Sequence, residues 1–288
     1  MNILVLGGTR FFGVNLVLNL LKDGHKVSIA TRGNAKDDFD NSVDRIQVER
    51  TDYNLMKKIF EKKEFDVVYD NLAYSSNDVK IALDTIKCNR YVMVSSAAVY
   101  NLHNNTLEKD YEADKKNLIW GNRSEFSYDE GKRLAEVALV KGYSLQNAIS
   151  VRFPYVIGKD DYTRRLYFYV EHIVKEIPMY VDNLDNQIGF ITSGDAGRFL
   201  SYLATNSIIG SINGCSIGTI SLREIINYVE GKMGKRAIFH KDGEAGPYNG
   251  TKEYSINTGK AAEIGFRFTD LKEWIFDLLD YYIEEAVR

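Results

Sequence analysis

The amino-acid sequence predicts an α/β protein built on a doubly wound parallel sheet. Short apolar runs alternate with amphipathic stretches in the first half of the chain, most of these runs are continuously apolar, and the first run leads into a glycine-rich turn. Continuous apolar runs are typical of strands that helices cover on both faces. Strand–helix alternation is typical of right-handed crossovers between parallel strands. Together these three observations predict the doubly wound arrangement.

Six strands and four helices account for the first part of the chain. The strands are rich in Val, Ile and Tyr, and they are predicted at Asn2–Leu6, Lys26–Ala30, Arg45–Val48, Asp66–Tyr69, Tyr91–Val94 and Ala148–Phe153. The helices carry apolar side chains on one face, and they are predicted at Phe11–Lys22, Leu55–Lys62, Asp78–Lys87 and Asp129–Lys141. We assign residues 1–157 to this first domain.

The pattern changes near residue 158, and residues 158–288 are predicted to form a smaller, mostly helical region. Its helices are predicted at Arg164–Lys175, Ala196–Ala204, Leu222–Met233 and Leu271–Glu285. A short strand is predicted at Gln187–Ile191, and a late strand at Gly210–Ser216 returns the chain in part to the sheet. We expect this region to lie over the carboxyl ends of the strands, where open α/β sheets bind their ligands.

The composition argues against several classes of function. The 37 Lys and Arg residues against 40 Asp and Glu residues give a net charge of −3, without the basic stripe typical of nucleic-acid binding. The two cysteines form no pairing pattern and the four histidines no metal-ligand spacing, so neither a disulfide nor a metal site is expected. No apolar run is long enough for a membrane span, and the start MNILVLGG does not resemble a signal peptide. We expect a cytoplasmic protein that binds no membrane.

The first predicted strand leads directly into a glycine-rich turn at which a helix begins. Gly7 permits a tight turn, the free amides at the helix start suit a pyrophosphate, and Gly13 permits close packing of helix on strand. The residues predicted to bind a dinucleotide cofactor here are Gly7, Thr9, Arg10, Phe11, Phe12 and Gly13. Arg10 replaces a glycine that many such turns carry, and its guanidinium is predicted to bind a phosphate oxygen.

The end of the second strand indicates which dinucleotide binds. Enzymes that use NAD usually carry an acid there, about 20 residues after the turn, and this acid holds the ribose 2′-hydroxyl. Here the strand ends Ala30-Thr31-Arg32-Gly33. The missing acid and the presence of Arg32 favour NADP over NAD, because the 2′-phosphate pairs with a cation. Asp52, after the third strand, is placed either to accept a hydrogen bond from the adenine amino group or to cap a helix.

A Tyr-x-x-x-Lys spacing places a phenol and an ammonium on one helix face. The chain contains six such pairs, which are Tyr53/Lys57, Tyr111/Lys115, Tyr128/Lys132, Tyr155/Lys159, Tyr228/Lys232 and Tyr248/Lys252. Only Tyr128/Lys132 opens an amphipathic helix directly before a predicted strand, whereas Tyr111 lies in a charged loop. We predict that Tyr128 is a general acid/base whose pKa the Lys132 charge lowers from about 10. Ser96, at the end of the fifth strand, is predicted to bond the substrate oxygen.

These motifs resemble those of the extended or atypical short-chain dehydrogenases/reductases of the NAD-dependent epimerase/dehydratase type. GGTRFFG, NLAY, SSAAVY, YDEGK, RFPYVIG, FITSGDAGR and INGCSIGTISLRE occur in the family's order over nearly the whole chain. The resemblance implies a Rossmann sheet, NAD(P) bound in the first domain, and the Ser–Tyr–Lys set as the catalytic residues. It further implies cofactor contacts by Leu72 and Ala73 of NLAY and by Phe153 and Val156 of RFPYVIG.

The sequence departs from the family pattern at the expected substrate site. Tyr155 stands where many sugar-nucleotide epimerases carry an Asn that contacts the substrate diphosphate, and Arg164 and Arg165 could bind another anionic group. The predicted function is therefore an NAD(P)-dependent oxidoreductase, epimerase or dehydratase that acts on a small hydroxylated molecule, with a sugar nucleotide as one candidate. The alternative is a non-catalytic nucleotide- or RNA-binding protein, because GGTR also resembles the atypical branch with its stem-loop-binding proteins. Family analogy further suggests a homodimer.

Overall fold

The computed structural model describes residues 1–288. The strands, in chain order, are β1 (Asn2–Leu6), β2 (Lys26–Thr31), β3 (Asp44–Gln47), β4 (Glu64–Asp70), β5 (Lys87–Ser96), β6 (Ala148–Phe153), β7 (Tyr155–Ile157), β8 (Met179–Tyr180), β9 (Gln187–Ile188), β10 (Phe190–Thr192), β11 (Gly210–Asn213), β12 (Ile220–Ser221) and β13 (Glu244–Ala245). The α-helices are α1 (Phe12–Lys22), α2 (Tyr53–Phe60), α3 (Ser76–Thr85), α4 (Tyr128–Val137), α5 (Arg165–Val174), α6 (Ser193–Tyr202), α7 (Leu222–Met233), α8 (Gly259–Glu263) and α9 (Ile275–Val287).

Seven of the strands form one sheet, in which every pair of neighbours is parallel. Their order in space is β3-β2-β1-β4-β5-β6-β11, so the chain winds outward from β1 in both directions. Side chains that alternate along β1 pack on opposite faces of the sheet. Ile3 and Val5 pack with α1 and α6, whereas Leu4 and Leu6 pack with α2, α3 and α4. The predicted doubly wound Rossmann sheet is confirmed.

Helix α6 lies against α1 on one face of the central sheet. At Gly197 an added Cβ would lie 2.5 Å from the Cβ of Asn15 and 2.6 Å from the backbone nitrogen of Leu16. Only glycine fits this approach, and α6 leads on to β11, whose Ile212 is in register with Val151 of β6. Residues 193–213 therefore belong to the main sheet and its helical layers, although they lie beyond residue 158, where the sequence pattern changes.

Helices α5, α7 and α9 surround a second hydrophobic core beside the carboxyl end of the sheet. Val170 and Ile173 of α5, Ile226 of α7 and Leu279 of α9 are buried together in it. The hydroxyl of Tyr282 in α9 donates a hydrogen bond of 2.7 Å to the carbonyl of Gly158, which ties this core to the loop after β7. The helices thus hold the loop of residues 158–164 over one end of the sheet.

The predicted strand Gln187–Ile191 is wrong as a single element. Gln187–Ile188 pairs with β12 in antiparallel fashion, whereas Phe190–Thr192 pairs with β7 in parallel. Gly189 lies between the two, packed so closely that an added Cβ would be 3.1 Å from the Sγ of Cys215.

Most predicted helices differ from the observed ones by one to a few residues at their ends, and three of them show a structural reason. The predicted Asp78–Lys87 ends at Thr85, since Lys87 already pairs with Glu64 in the sheet. The predicted closing helix Leu271–Glu285 is broken at Trp274, where a 3₁₀ turn gives way to α9. Helix α4 ends at Val137, and a π-helical segment, Ala138–Gly142, follows it directly. The end of the predicted helix Asp129–Lys141 lies in that segment.

Candidate active site

Two cavities meet at the carboxyl ends of the central strands. The first, about 360 Å³, extends from the glycine-rich turn to the ends of β2 and β4. The second, about 480 Å³, lies between the end of β5, the start of α4 and the loop before α5. Phe11, Phe12, Tyr74 and Tyr162 line both cavities, so the two form one continuous cleft.

The glycine-rich turn has the geometry of a phosphate-binding loop. Gly7 has a φ of +98° and Gly8 of +97°, a backbone region that L side chains rarely adopt. Helix α1 starts without a side-chain cap. The amides of Gly13 and Val14 donate to the carbonyls of Arg10 and Phe11, whereas those of Phe11 and Phe12 have no partner in the protein and are free to bind an anion. An added Cβ at Gly13 would lie 2.9 Å from the Cα of Gly8, so glycine is required where the helix crosses the turn.

Replacing Gly13 with Ala is expected to push the start of α1 away from the turn and to weaken dinucleotide binding at least tenfold. Calorimetric titration of the cofactor measures this loss. Gly231→Ala in α7 is the matched control, because a Cβ there meets nothing within 4 Å. That variant should bind normally and gain about 0.5–1 kcal/mol of stability from the better helix former. Unchanged cofactor affinity in Gly13→Ala would contradict the role proposed for this turn.

Asn71 provides an independent test of whether a polar ligand fits the first cavity. Its side chain is 8% exposed and lines the cavity, yet neither Nδ2 nor Oδ1 has a hydrogen-bond partner. Buried amides are rarely left unpaired. The cavity therefore presents a donor and an acceptor to a ligand, as the ribose or phosphate groups of a dinucleotide require.

Four arginines line the first cavity, and Arg10 is the one that forms no ion pair. Arg50 forms buried ion pairs with Asp70 and Asp78, and Arg123 also binds Asp78 at 3.0 Å. Arg10 forms no ion pair, and its guanidinium lies 5.9 Å from the centroid of the Tyr162 ring.

Arg32, at the end of β2, is exposed and only 4.0 Å from Glu49. Glu49 also lines this end of the cavity, so an exposed carboxylate partly compensates the Arg32 charge, whereas Arg10 is unpaired. Both arginines line the cavity at the places where the sequence predicts them to meet phosphate.

Ser96 and Tyr128 line the second cavity together. Ser96 is the last residue of β5, and Tyr128 is the first residue of α4, whose N-cap is Ser127. The Tyr128 side chain keeps 55% of its surface exposed in the cleft. The predicted lowering of the Tyr128 pKa by Lys132 is not found: desolvation raises this pKa, and the groups that lower it are the Ser96 hydroxyl and the Arg165 guanidinium. The phenol is therefore protonated near neutral pH and open to a small molecule.

Lys132 lies one turn below Tyr128 and is buried rather than exposed to the cavity. Its Nζ donates hydrogen bonds of 2.8 Å to the carbonyls of Ala73 and Val94, and it lies 4.3 Å from the ring centroid of Tyr74. Burial lowers the pKa of Lys132 to about 8, although Asp70 raises it. The ammonium lies 5.9 Å from the Tyr128 ring centroid, which places a cation beside the candidate acid/base.

Of the remaining predicted residues, most line the cleft, two are buried beside it and one lies outside it. Gly7, Thr9, Phe11, Phe12, Gly13 and Leu72 line the first cavity, and Val156 lines the second. Ala73 and Phe153 are buried beside the cleft without lining it. Asp52 lies outside both cavities, where its carboxylate accepts the Leu55 amide at 3.0 Å as the N-cap of α2, and Glu49 lines the cavity instead.

Several lining residues escape sequence reasoning. Arg50 and Arg123 reach the cleft from a loop after β3 and from a 3₁₀ turn before α4, and no motif marks either of them. Tyr74 follows the end of β4, a position at which cavity-facing side chains are expected in such sheets.

The structure contains no group of three or more His, Cys, Asp or Glu side chains arranged to hold a metal ion. No helix is both long and apolar enough to cross a membrane.

Comparison with known proteins gives a family and several similar structures. The NAD dependent epimerase/dehydratase family matches residues 3–212. A putative epimerase from Burkholderia cenocepacia is similar in structure, with a TM-score of 0.75 and 18% identity over 98% of both chains. The dTDP-glucose 4,6-dehydratase of Bacillus anthracis, solved in complex with NAD, has a TM-score of 0.73 and 18% identity over 99% of this chain and 97% of its own.

A curated relative is similar over a shorter segment. The chloroplast stem-loop binding protein of 41 kDa b from Arabidopsis thaliana is 36% identical in an alignment of 112 positions that covers 34% of this chain and 30% of that protein. The chain thus matches about a third of that relative's length, whereas the family match extends over most of the chain. The protein belongs to the NAD-dependent epimerase/dehydratase family.

Proposed function

We propose that the protein is a nicotinamide-dependent oxidoreductase, epimerase or dehydratase that acts on a small hydroxylated molecule. One observation carries this proposal. Ser96 and Tyr128 line one cavity, and that cavity opens into a second one bordered by the glycine-rich turn. A hydroxyl, a phenol and a phosphate-binding turn on one continuous cleft are the parts that hydride transfer to or from a carbinol requires.

The strand order supports one orientation of the cofactor. Arg32 at the end of β2 and Glu49 after β3 lie on one side of the glycine-rich turn, and β5 with Tyr128 lies on the other. The amides at the start of α1 then hold the pyrophosphate, Arg32 meets the adenosine end, and the nicotinamide end reaches Tyr128. Asn71, with its unpaired amide, would bind the middle of the cofactor.

In the proposed reaction, Tyr128 exchanges the proton of the substrate hydroxyl. A nicotinamide cofactor held in the first cavity would supply hydride exchange with the carbinol carbon. Tyr128 takes the hydroxyl proton during oxidation and gives it back during reduction, so that alcohol and carbonyl differ by one hydride and one proton. Ser96 would hydrogen-bond the same substrate oxygen. The Ser96 hydroxyl, which lowers the pKa of Tyr128, would stabilise the phenolate, with the buried Lys132 ammonium as a more distant positive charge.

We further propose that NADP is preferred over NAD. Replacing Arg32 with Ala is expected to weaken NADP⁺ binding about tenfold and to leave NAD⁺ binding within twofold, because only NADP⁺ carries a 2′-phosphate for a cation to hold. Titration calorimetry at fixed salt measures both constants. Arg236→Ala, at a side chain that is 87% exposed, is the matched control. Equal losses for the two cofactors would remove the preference.

A substrate screen tests the function itself. Hydroxylated compounds, including sugar nucleotides, hydroxy acids and sugar phosphates, are incubated with the protein and NADP⁺ or NAD⁺. Absorbance at 340 nm reports net redox, and proton NMR in deuterated water reports epimerisation or dehydration. Turnover that disappears in Tyr128→Phe supports the proposal. A screen in which that variant and the wild type convert the same compounds at the same rates overturns it.

Binding of an RNA stem-loop is a second candidate, because of the relative from Arabidopsis thaliana. The net charge of −3 weighs against it. A stem-loop RNA titrated in a gel-shift assay should bind with an affinity that falls steeply with salt if this candidate holds. Absence of binding at low salt eliminates it.

A further inference from the structure

We propose that Arg165 is the anion-binding residue of the second cavity. The ligand it selects is a compact hydroxylated molecule that carries one carboxylate or one phosphate monoester. This inference rests on the proposed function, in which the same cavity holds the substrate, and it specifies the class of that substrate. The feature that carries it is a single unpaired guanidinium in an otherwise uncharged and largely aromatic cavity.

The structure separates two neighbouring arginines that the sequence could not tell apart. Arg164 is held away from the cavity, because its Nη1 lies 2.7 Å from the Oε1 of Glu285 and its guanidinium stacks 3.4 Å above the Tyr167 ring. Arg165 begins α5 and lines the cavity with Thr163. Glu285 therefore neutralises the charge of Arg164, whereas the charge of Arg165 has no partner in the protein.

The acidic side chains closest in sequence are engaged elsewhere. Asp160 accepts a hydrogen bond of 2.7 Å from the Ser193 hydroxyl, and the Oδ1 of Asp161 accepts both the amide and the hydroxyl of Thr163, while its Oδ2 is buried and lines neither cavity. No Asp or Glu lines the second cavity. A half-buried cation without a carboxylate is an arrangement that an anionic ligand completes.

Arg165 lies over a rigid aromatic ring, which sets its position. The guanidinium carbon is 5.4 Å from the centroid of Tyr155, whose hydroxyl shares a hydrogen bond of 3.1 Å with Thr251. The Tyr155 ring also packs 4.9 Å from the ring of Tyr248. The N–H groups of Arg165 are thus presented to the cavity from a fixed platform, in the fork geometry that carboxylates and phosphates match.

The same geometry disfavours a nucleoside diphosphate. A diphosphate carries at least two negative charges, and this cavity offers one cation. Tyr155 stands where many sugar-nucleotide epimerases carry an Asn, and its side chain offers no amide donor to a diphosphate. Arg165 and Tyr128 line the same cavity, and the Arg165 charge lowers the pKa of that phenol. The anionic group therefore lies near the reacting hydroxyl, as it does in a compact sugar acid or sugar phosphate.

Matched probes test this assignment by binding, without turnover. Protein saturated with NADP⁺ is titrated with D-glucuronate, with D-glucose 6-phosphate, with neutral D-glucose and with UDP-glucose, and dissociation constants are measured by ligand-detected NMR. The wild type is expected to bind at least one of the two anions ten times more tightly than D-glucose. Which anion binds distinguishes a carboxylate from a phosphate monoester.

The variants identify the residue responsible. Arg165→Gln should lose at least tenfold in affinity for the preferred anion, Arg165→Lys should keep part of it, and Arg164→Gln should match the wild type. Equal anion binding by Arg165→Gln overturns the assignment. So does the lack of any preference for an anion over D-glucose, or UDP-glucose binding that is tight and independent of Arg165.

The two proposals fail in different ways. If NADP⁺ and NAD⁺ do not bind but anion binding still depends on Arg165, the proposed reaction is wrong and the anion site stands. If the cofactor binds and Tyr128-dependent turnover is found on neutral substrates with no effect of Arg165→Gln, the anion site is wrong and the reaction stands.

Discussion

Replacing Tyr128 with Phe is expected to lower kcat by about 10²- to 10⁴-fold, the usual contribution of a positioned general acid/base. The change removes one hydroxyl from a side chain that is largely exposed in the cleft, so the fold and the first cavity should be unaffected. The dissociation constant of NADP⁺ should therefore stay within twofold of the wild-type value. Steady-state kinetics on the substrate found by screening, together with cofactor titration, measure both quantities.

Tyr111→Phe is the informative control for this experiment, because Tyr111 belongs to the rival Tyr-x-x-x-Lys pair. Tyr111 is 7% exposed, and its hydroxyl donates to the carbonyl of Arg133 at 3.1 Å, away from both cavities. Its replacement should leave kcat within a few-fold of the wild type. A variant Tyr128→Phe that retains full activity, or a Tyr111→Phe that loses it, would transfer the acid/base role to another group.

Replacing Glu136 with Gln is expected to produce the largest loss of stability, about 3–5 kcal/mol, because it leaves Arg152 charged and uncompensated in the interior. Both side chains are 1% exposed. Arg152 donates to the Glu136 carboxylate through Nε at 2.9 Å and through Nη2 at 2.5 Å. The hydroxyl of Ser95, next to Ser96, also donates to that carboxylate at 2.5 Å.

Urea unfolding followed by circular dichroism measures the free-energy change. Glu130→Gln on the same helix is the matched control, since Glu130 meets the partly exposed Arg133 at 3.4 Å and such surface pairs contribute at most about 1 kcal/mol. Comparable losses in the two variants would show that the interior pair is not what holds α4 against β5 and β6. The positions of Tyr128 and Ser96 would then depend on other contacts.

The central sheet could be predicted from the sequence because its signal is local. Each inner strand is buried on both faces, so an apolar run such as Ala148–Phe153 suffices to mark it. The break within Gln187–Ile191 could not be predicted, because the two halves pair with β12 and β7, which are distant in sequence. The interruption of the last helix at Trp274, where the backbone leaves helical geometry with a φ of −131°, also has no signal in the sequence.

The candidate site likewise contains residues that could be predicted from the sequence and residues that could not. The glycine-rich turn and Tyr128 occupy fixed places relative to a strand and a helix start, so their positions follow from local pattern. Arg50 and Arg123 reach the cleft through tertiary contacts with Asp78, which no spacing in the sequence reveals. The choice between the two interpretations of Asp52 also needed the structure, because a helix cap and a cavity residue have the same sequence signature.

The sharpest test of the proposed function is a titration of nucleotide-free protein with NADP⁺ and NAD⁺ at fixed salt. Calorimetry or thermal shift gives the affinity, and the ligand stabilises the native protein by mass action if it binds. We expect saturable binding of both, with NADP⁺ the tighter ligand. If neither dinucleotide binds at millimolar concentration, the first cavity does not hold a nicotinamide cofactor and the proposed reaction is contradicted.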